Sequence, residues 1–254
     1  MSPQISALST IILLGCAISR ATAALDPTCA PGGNFDLSKW NLQLPIGSTG
    51  SPTTIKSTDL QGCSGYQDPG HKYFFTESGD GALVMQVPGS PSSSDCVTTK
   101  NSLHCRTELR ESNPSSWDPN AAKNRLKATV AVTVADDSKR GTVVGQIHID
   151  DSISTKPVCE LYYNAQGVLT MGVEKTRAGG DSNFTTIATV PVGTTFSYEI
   201  RYETNVLSVS VNGGAMKVLE TFDLDAPKSY FKVGNYNQGN SPSDVHVFAI
   251  SVEH

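Results

Sequence analysis

The chain has 254 residues, a formal net charge of −5 and only 17% charged residues, with 22 glycines and 14 prolines. That length suits one large β domain as well as two small ones, and the wealth of Gly, Pro, Ser, Thr and Val favours strands and turns over helices. No basic tail points to nucleic acid, although an acidic protein still binds a polyanion where its basic side chains gather in one cleft.

Residues 1–24 stand apart. Ile11, Ile12, Leu13, Leu14 and Ala17 form a short apolar core ahead of Ala21-Thr22-Ala23, an A-x-A pattern. This reads as a secretory signal peptide that is removed, leaving a single domain over residues 25–254 in the extracellular space. The segment before the apolar core lacks the usual Lys or Arg. The apolar run is too short and too interrupted to span a bilayer, and no other stretch predicts a membrane span.

Of six cysteines, Cys16 falls in the signal segment. An oxidising compartment predicts two disulfides and one thiol among the remaining five. Cys96 and Cys105 flank a turn-like stretch and are paired on that ground. Cys29 with Cys63 follows by elimination, leaving Cys159 as a strand thiol. The spacings fit no zinc template, and no cofactor is implied. Asn183-Phe184-Thr185 is a sequon, which makes Asn183 a candidate glycosylation site.

Along the chain, Asp36–Trp40 suggests one short turn. Pro88–Ser94 reads as a loop, closed by the Cys96–Cys105 region. Short β-type runs cover 81–87, 126–134, 142–149, 160–163, 168–173, 196–202, 207–211 and 245–252. Asn164–Gly167 and Asn212–Gly214 mark hairpin turns. Many short strands punctuated in this way predict an all-β sandwich or jelly roll.

Three segments concentrate polar side chains where strands are expected. In a strand, alternate side chains share a face. Arg106, Glu108 and Arg110 therefore point one way, with Thr107 and Leu109 opposite. Gln146 and His148 share a face, with Ile147 and Ile149 turned to a core. Tyr230, Lys232, Tyr236 and Gln238 share a face opposite Phe231 and Val233. A wet face of an antiparallel sheet is often merely solvated. Such faces favour Thr, Ser, Lys and Glu, whereas these carry two arginines, a glutamine, a histidine and two tyrosines. Arginine grips carboxylates in a bidentate fork, and histidine titrates near neutrality.

The same segments carry a family resemblance. Arg106-Thr-Glu-Leu-Arg110, Gln146-Ile-His148 and Tyr230-Phe-Lys-Val-Gly-Asn-Tyr-Asn-Gln238 match, in order, the R-[ST]-E-[LV]-R, Q-[IV]-H and Y-F-K-x-G-x-Y-x-Q motifs. On these the chain resembles the alginate lyases of polysaccharide lyase family 7, and Leu37–Pro45 looks like that family's opening segment. The resemblance implies a β-jelly roll of two curved antiparallel sheets with the motif strands lining a concave groove. It also implies metal-independent β-elimination on alginate, an acidic polysaccharide. A monomer is expected, with no protein, nucleic-acid or membrane partner.

By the same resemblance, Arg106 and Gln146 neutralise the substrate carboxylate. His148 and Tyr236 carry the proton chemistry, with Tyr236 as acid and also as base for one epimer, and His148 as base for the other. Arg110, Lys232 and Gln238 are placed against neighbouring sugars. Glu108 is grouped with them, its more specific role being to hold Arg106 or Arg110. Ile147 inside the Q-x-H motif points towards guluronate-containing blocks.

Other chemistries fit poorly. A glycosidase needs two opposed carboxylates, and the motif strands offer only Glu108. No G-x-S-x-G stretch supports a serine triad. His71, His104, His246 and His254 have no ligand spacing; His104, beside Cys105 and close to the first motif, is a candidate to line the groove, the favoured reading being an incidental loop residue. Trp40 and Trp117 read as packing residues. Two alternatives stay open: a lyase for another polyuronate such as glucuronan, and a non-catalytic carbohydrate-binding module on the same fold.

Overall fold

The computed structural model describes residues 24–254, so the expected signal peptide lies, but for its last residue, outside the described residues. Fifteen strands follow one another: β1 (Trp40–Ser48), β2 (Ser51–Ile55), β3 (Phe74–Thr76), β4 (Leu83–Val87), β5 (Arg106–Glu111), β6 (Arg125–Val134), β7 (Thr142–Ile149) and β8 (Pro157–Tyr163), then β9 (Val168–Glu174), β10 (Ser182–Thr189), β11 (Phe196–Glu203), β12 (Val206–Val211), β13 (Lys217–Leu219), β14 (Ser229–Tyr236) and β15 (Ser243–Glu253). Among the described residues there are three helices, each a single turn: α1 (Pro31–Asn34), α2 (Ser57–Leu60) and α3 (Pro91–Ser94).

The strands form two antiparallel sheets, one in the order β10-β9-β8-β7-β14-β5-β1-β2 and the other β13-β12-β11-β6-β15-β4-β3. This is the jelly-roll sandwich expected from the strand and turn pattern. Its core is the interleaving of the two inner faces. Ile147, Ile149, Leu109, Phe231 and Val233 from the first sheet meet Leu126, Val130, Phe196, Tyr198 and Val247 from the second, all essentially inaccessible. Full burial of each such aliphatic or aromatic side chain is worth about 1.5–3 kcal/mol. That is why the apolar positions of each motif strand, and not its polar ones, face inward.

Chain order and neighbourhood differ in the way a jelly roll requires. The motif strands β5, β7 and β14 are far apart in sequence yet adjacent in space, with β14 between the other two. Lys232 pairs with Gln146 on one side and Arg110 on the other. Gly234 sits at the register shift between β14 and β7 with φ of +148°. A Cβ there would lie 2.7 Å from the Thr107 carbonyl oxygen and 2.8 Å from Met85 Sδ, so only glycine fits.

The inner face of β5 also carries polar residues: Thr107 donates to the Gln86 carbonyl at 2.6 Å, and a carboxylate follows further along the strand. Glu111, at the end of β5, is buried. Its carboxylate accepts hydrogen bonds from Trp117 Nε1 (2.9 Å) and the Phe231 backbone N–H (3.0 Å), and lies 2.7 Å from His254 Nε2. Trp40 and Trp117 are core residues, as expected.

Both disulfides, Cys29–Cys63 and Cys96–Cys105, are present, and Cys159 is a buried thiol on β8. Burial pushes that thiol's pKa up to about 12. The expected loop at Pro88–Ser94 contains the helical turn α3, which opens on Pro91, with Ser93 Oγ accepting from the Ser90 N–H at 2.9 Å. The expected turn within Asp36–Trp40 is present at Ser38–Lys39. Among the described residues no helix is long and apolar enough to cross a membrane.

Candidate active site

The outer face of the eight-stranded sheet lines an open groove of 530 Å³, to which β5, β7 and β14 contribute Arg106, Arg110, Gln146, His148, Lys232 and Tyr236. Gln238, two residues past the end of β14, lines it as well. All residues singled out on these strands except Glu108 line it directly.

Glu108 lies underneath. It is 1% exposed, and its oxygens are taken up by Gln146 Nε2 at 2.5 Å, Lys232 Nζ at 2.5 Å and Arg106 Nη1 at 3.3 Å. It therefore ties all three motifs together at one point. Burial pushes its carboxyl pKa up, but Lys232 and Arg106 more than offset this and hold it below the usual range. An ionised carboxylate in this position is the counter-charge that lets two cations sit under the groove. It holds Arg106, as expected, while Arg110 turns away to Asp151, 2.9 Å from Nη2 to Oδ2.

Lys232 shows the opposite balance. Burial and the neighbouring Arg106 bring its ammonium pKa down to about 8, against the pull of Glu108. His148 Nδ1 is 2.8 Å from the Ile149 carbonyl oxygen. A carbonyl only accepts, so Nδ1 carries the proton and Nε2 keeps a free lone pair. Burial, and secondarily Lys232, lower the imidazole pKa to about 4, so the ring is neutral near pH 7. Tyr230 stacks on it with ring centroids 5.1 Å apart. The Tyr230 hydroxyl donates to Asp151 Oδ1 at 2.9 Å, and Arg110 covers its ring at 4.2 Å.

Tyr236 stands on the other side of the Glu108–Lys232 pair. Arg106 lies flat over its ring at 3.7 Å, and Lys232 Nζ is 6.0 Å from the ring centre. Its hydroxyl is 3.0 Å from Ser102 Oγ. His104, read from sequence as incidental, packs edge-on against the Tyr236 ring at 6.2 Å. Gln238 Nε2 donates to the carbonyls of Tyr236 (3.3 Å) and Asn237 (3.2 Å).

Several groove residues carried no sequence signal. Asp151 follows β7 in a turn. Glu160 on β8 pairs with Gln146 across the sheet and lines the groove, its carboxyl pKa raised by burial against the Tyr162 hydroxyl bonded to it. Strand alternation from Cys159 would have put Glu160 on this face, but the sequence contained nothing that joined β8 to the motif strands. Among the described residues no cluster of three or more His, Cys, Asp or Glu side chains is arranged to hold a metal ion.

Comparison with known proteins agrees with this geometry. A family model described as alginate lyase matches residues 35–254. An alginate lyase of Klebsiella pneumoniae is 28% identical, the match covering 89% of each chain. The solved structure of a family 7 alginate lyase, A1-II', in complex with substrate GGMG superposes with a TM-score of 0.74 at 30% identity, covering 89% of this chain and 97% of that one. An alginate lyase of Pseudomonas aeruginosa superposes with a TM-score of 0.71 at 30% identity over 86% and 99% of the two chains. With the family model covering nearly all of the described domain and three ordered motifs meeting in one groove, the chain belongs to the alginate lyase family, polysaccharide lyase family 7.

Proposed function

We propose that the groove cleaves alginate by β-elimination without a metal ion, releasing unsaturated oligouronates. The observation that carries this is the convergence, over one buried carboxylate, of carboxylate-binding donors with a neutral imidazole and a phenol. Arg106 and the second N–H of Gln146 neutralise the uronate carboxylate, which makes the proton on the adjoining carbon acidic. Donors aimed at the developing enolate are worth roughly 3–4 kcal/mol each.

The base removes that proton. The electron pair passes through the enolate to form the carbon–carbon double bond, and the bond to the glycosidic oxygen breaks. Tyr236 delivers a proton to the departing oxygen. His148 Nε2, unprotonated near pH 7, is the base for one epimer. For the other, Tyr236 enters as the phenolate, paired with Arg106, takes the proton to become the phenol and then delivers that proton to the departing glycosidic oxygen. Glu108 orients Gln146, Lys232 and Arg106 rather than meeting sugar, while Arg110, Lys232 and Gln238 address neighbouring units.

The protein acts as a single secreted monomeric domain over residues 25–254. Asn183, exposed on the edge strand β10, is its glycosylation site. The test is a time course of ultraviolet absorbance from the unsaturated product on alginate, polymannuronate, polyguluronate and glucuronan, with chelator present. A rise on alginate is expected. A rise on glucuronan alone would reassign the substrate, and binding without any rise would make the domain a carbohydrate-binding module.

A further inference from the structure

The phenol of Tyr236 is held from outside the motif strands. Between Cys96 and Cys105 the disulfide closes a loop whose residue Ser102 reaches the groove. Ser102 Oγ accepts from the His104 backbone N–H and from Arg106 Nη2, each at 3.1 Å. It lies 3.0 Å from the His104 carbonyl oxygen and 3.0 Å from the Tyr236 hydroxyl.

A serine hydroxyl has two lone pairs and one proton. The two N–H donors occupy the lone pairs, so Tyr236 has no acceptor left on Ser102. Its own proton is therefore left for an acceptor other than Ser102. The serine proton has two acceptors in reach, the His104 carbonyl and the phenolic oxygen. Once Tyr236 has given up its proton, the negative oxygen is the stronger acceptor, and the bond from Ser102 becomes charge-assisted.

We propose that Ser102 is a positioning residue for the elimination: it aims the Tyr236 proton at the departing glycosidic oxygen and then donates to the phenolate, and the Cys96–Cys105 disulfide holds the loop that presents it. This rests on the lyase reading above. The other groups around the phenol are Arg106 over the ring, Lys232 beside it, His104 at its edge and Tyr162 of β8 within its electrostatic reach. Ser102 is the neutral donor in that set that touches the oxygen itself.

The experiment compares wild type, Ser102→Ala, Ser102→Thr and the Cys96→Ser/Cys105→Ser double variant on alginate across pH, with melting temperatures recorded for each. Ser102→Ala is expected to lower kcat at least tenfold, roughly the loss of one charge-assisted hydrogen bond. KM should change less than about twofold, because Arg106 keeps its ion pair with Glu108 when the hydroxyl is removed. The alkaline limb of its kcat profile should move upward. Ser102→Thr keeps the hydroxyl and should restore most of kcat. The double cysteine variant should lose kcat in the same way. Wild-type kcat in Ser102→Ala would overturn the proposal, as would a loss confined to KM or no rescue by threonine at equal melting temperature. A wild type that releases no unsaturated product from any polyuronate would instead overturn the lyase reading beneath it.

Discussion

Glu108→Ala tests the architecture of the groove most directly. The carboxylate is 1% exposed and is the shared partner of Lys232, Arg106 and Gln146. Its removal leaves an ammonium and a guanidinium facing each other beneath the groove floor. Breaking a buried ion pair from one side costs about 3–5 kcal/mol. For a domain of this size each kcal/mol lowers the melting temperature by about 2–4 °C, so a drop of roughly 6–20 °C is expected. Circular dichroism melts at neutral pH measure it. Lys232→Met added to Glu108→Ala removes one orphaned cation and should recover part of the loss, which a double-mutant cycle would quantify. A Glu108→Ala melt within about 2 °C of wild type, less than 1 kcal/mol on the same scale, would refute the claim that this carboxylate holds the three motifs together.

Tyr236→Phe should lower kcat by about 10²–10⁴-fold while polymer binding, followed by equilibrium titration, is largely kept. The two buried bases both have lowered pKa values and are read out in different pH ranges. His148 has a folded pKa of about 4 against 6.5, so between these values the unfolded chain binds a proton that the folded chain refuses. Its contribution to stability is full above about 6.5 and falls as pH drops towards 4, which denaturant titrations across that range would show. Lys232, brought to about 8, loses its charge as pH rises through that value. KM for alginate should therefore increase above it, and more weakly in Lys232→Met. Gly145→Ala should destabilise the fold by about 1–3 kcal/mol through overpacking, read by thermal melt, because the added Cβ would lie 2.4 Å from the Tyr198 hydroxyl that donates to the Val144 carbonyl. Cys159 should react with a thiol reagent only after denaturant is added.

The parts of the fold that the chain announced locally are those with clean period-two alternation. The faces of β5, β7 and β14 were readable because Leu109, Ile147, Phe231 and Val233 alternate with charged or aromatic neighbours. β1 was obscured by Pro45 and Gly47, which fall where its pairing with β2 shifts register. The edge strand β10 scatters Phe184, Ile187 and Ala188 among polar residues and shifts register against β9, so it offered no periodicity to read. Side-chain direction along a motif was legible, but which segments from elsewhere would meet it was not. Asp151, Glu160 and Ser102 reach the groove from a turn, a neighbouring strand and a disulfide-closed loop, and their relation to the motifs exists only once β14 has been inserted between β5 and β7. The contact of His104 with Tyr236 was hidden for the same reason, since only the course of that loop brings the two rings together.

Glu111 gives β5 a second anchor on the face opposite Glu108. A slip of one residue would exchange the two faces of the strand, sending Arg106, Glu108 and Arg110 into the core and Thr107 and Leu109 into the groove. Glu111 would at the same moment leave Trp117 Nε1 and the Phe231 N–H without an acceptor. Strand β5 is thus pinned from front and back, and the floor of the site behaves as a fixed template. Room to accommodate a different uronate sequence lies at the rim, where Lys100 and Asn101 on one side and Asp151–Ile153 on the other are exposed. Changes there can reshape what enters the groove while the floor that performs the proton transfers stays in place.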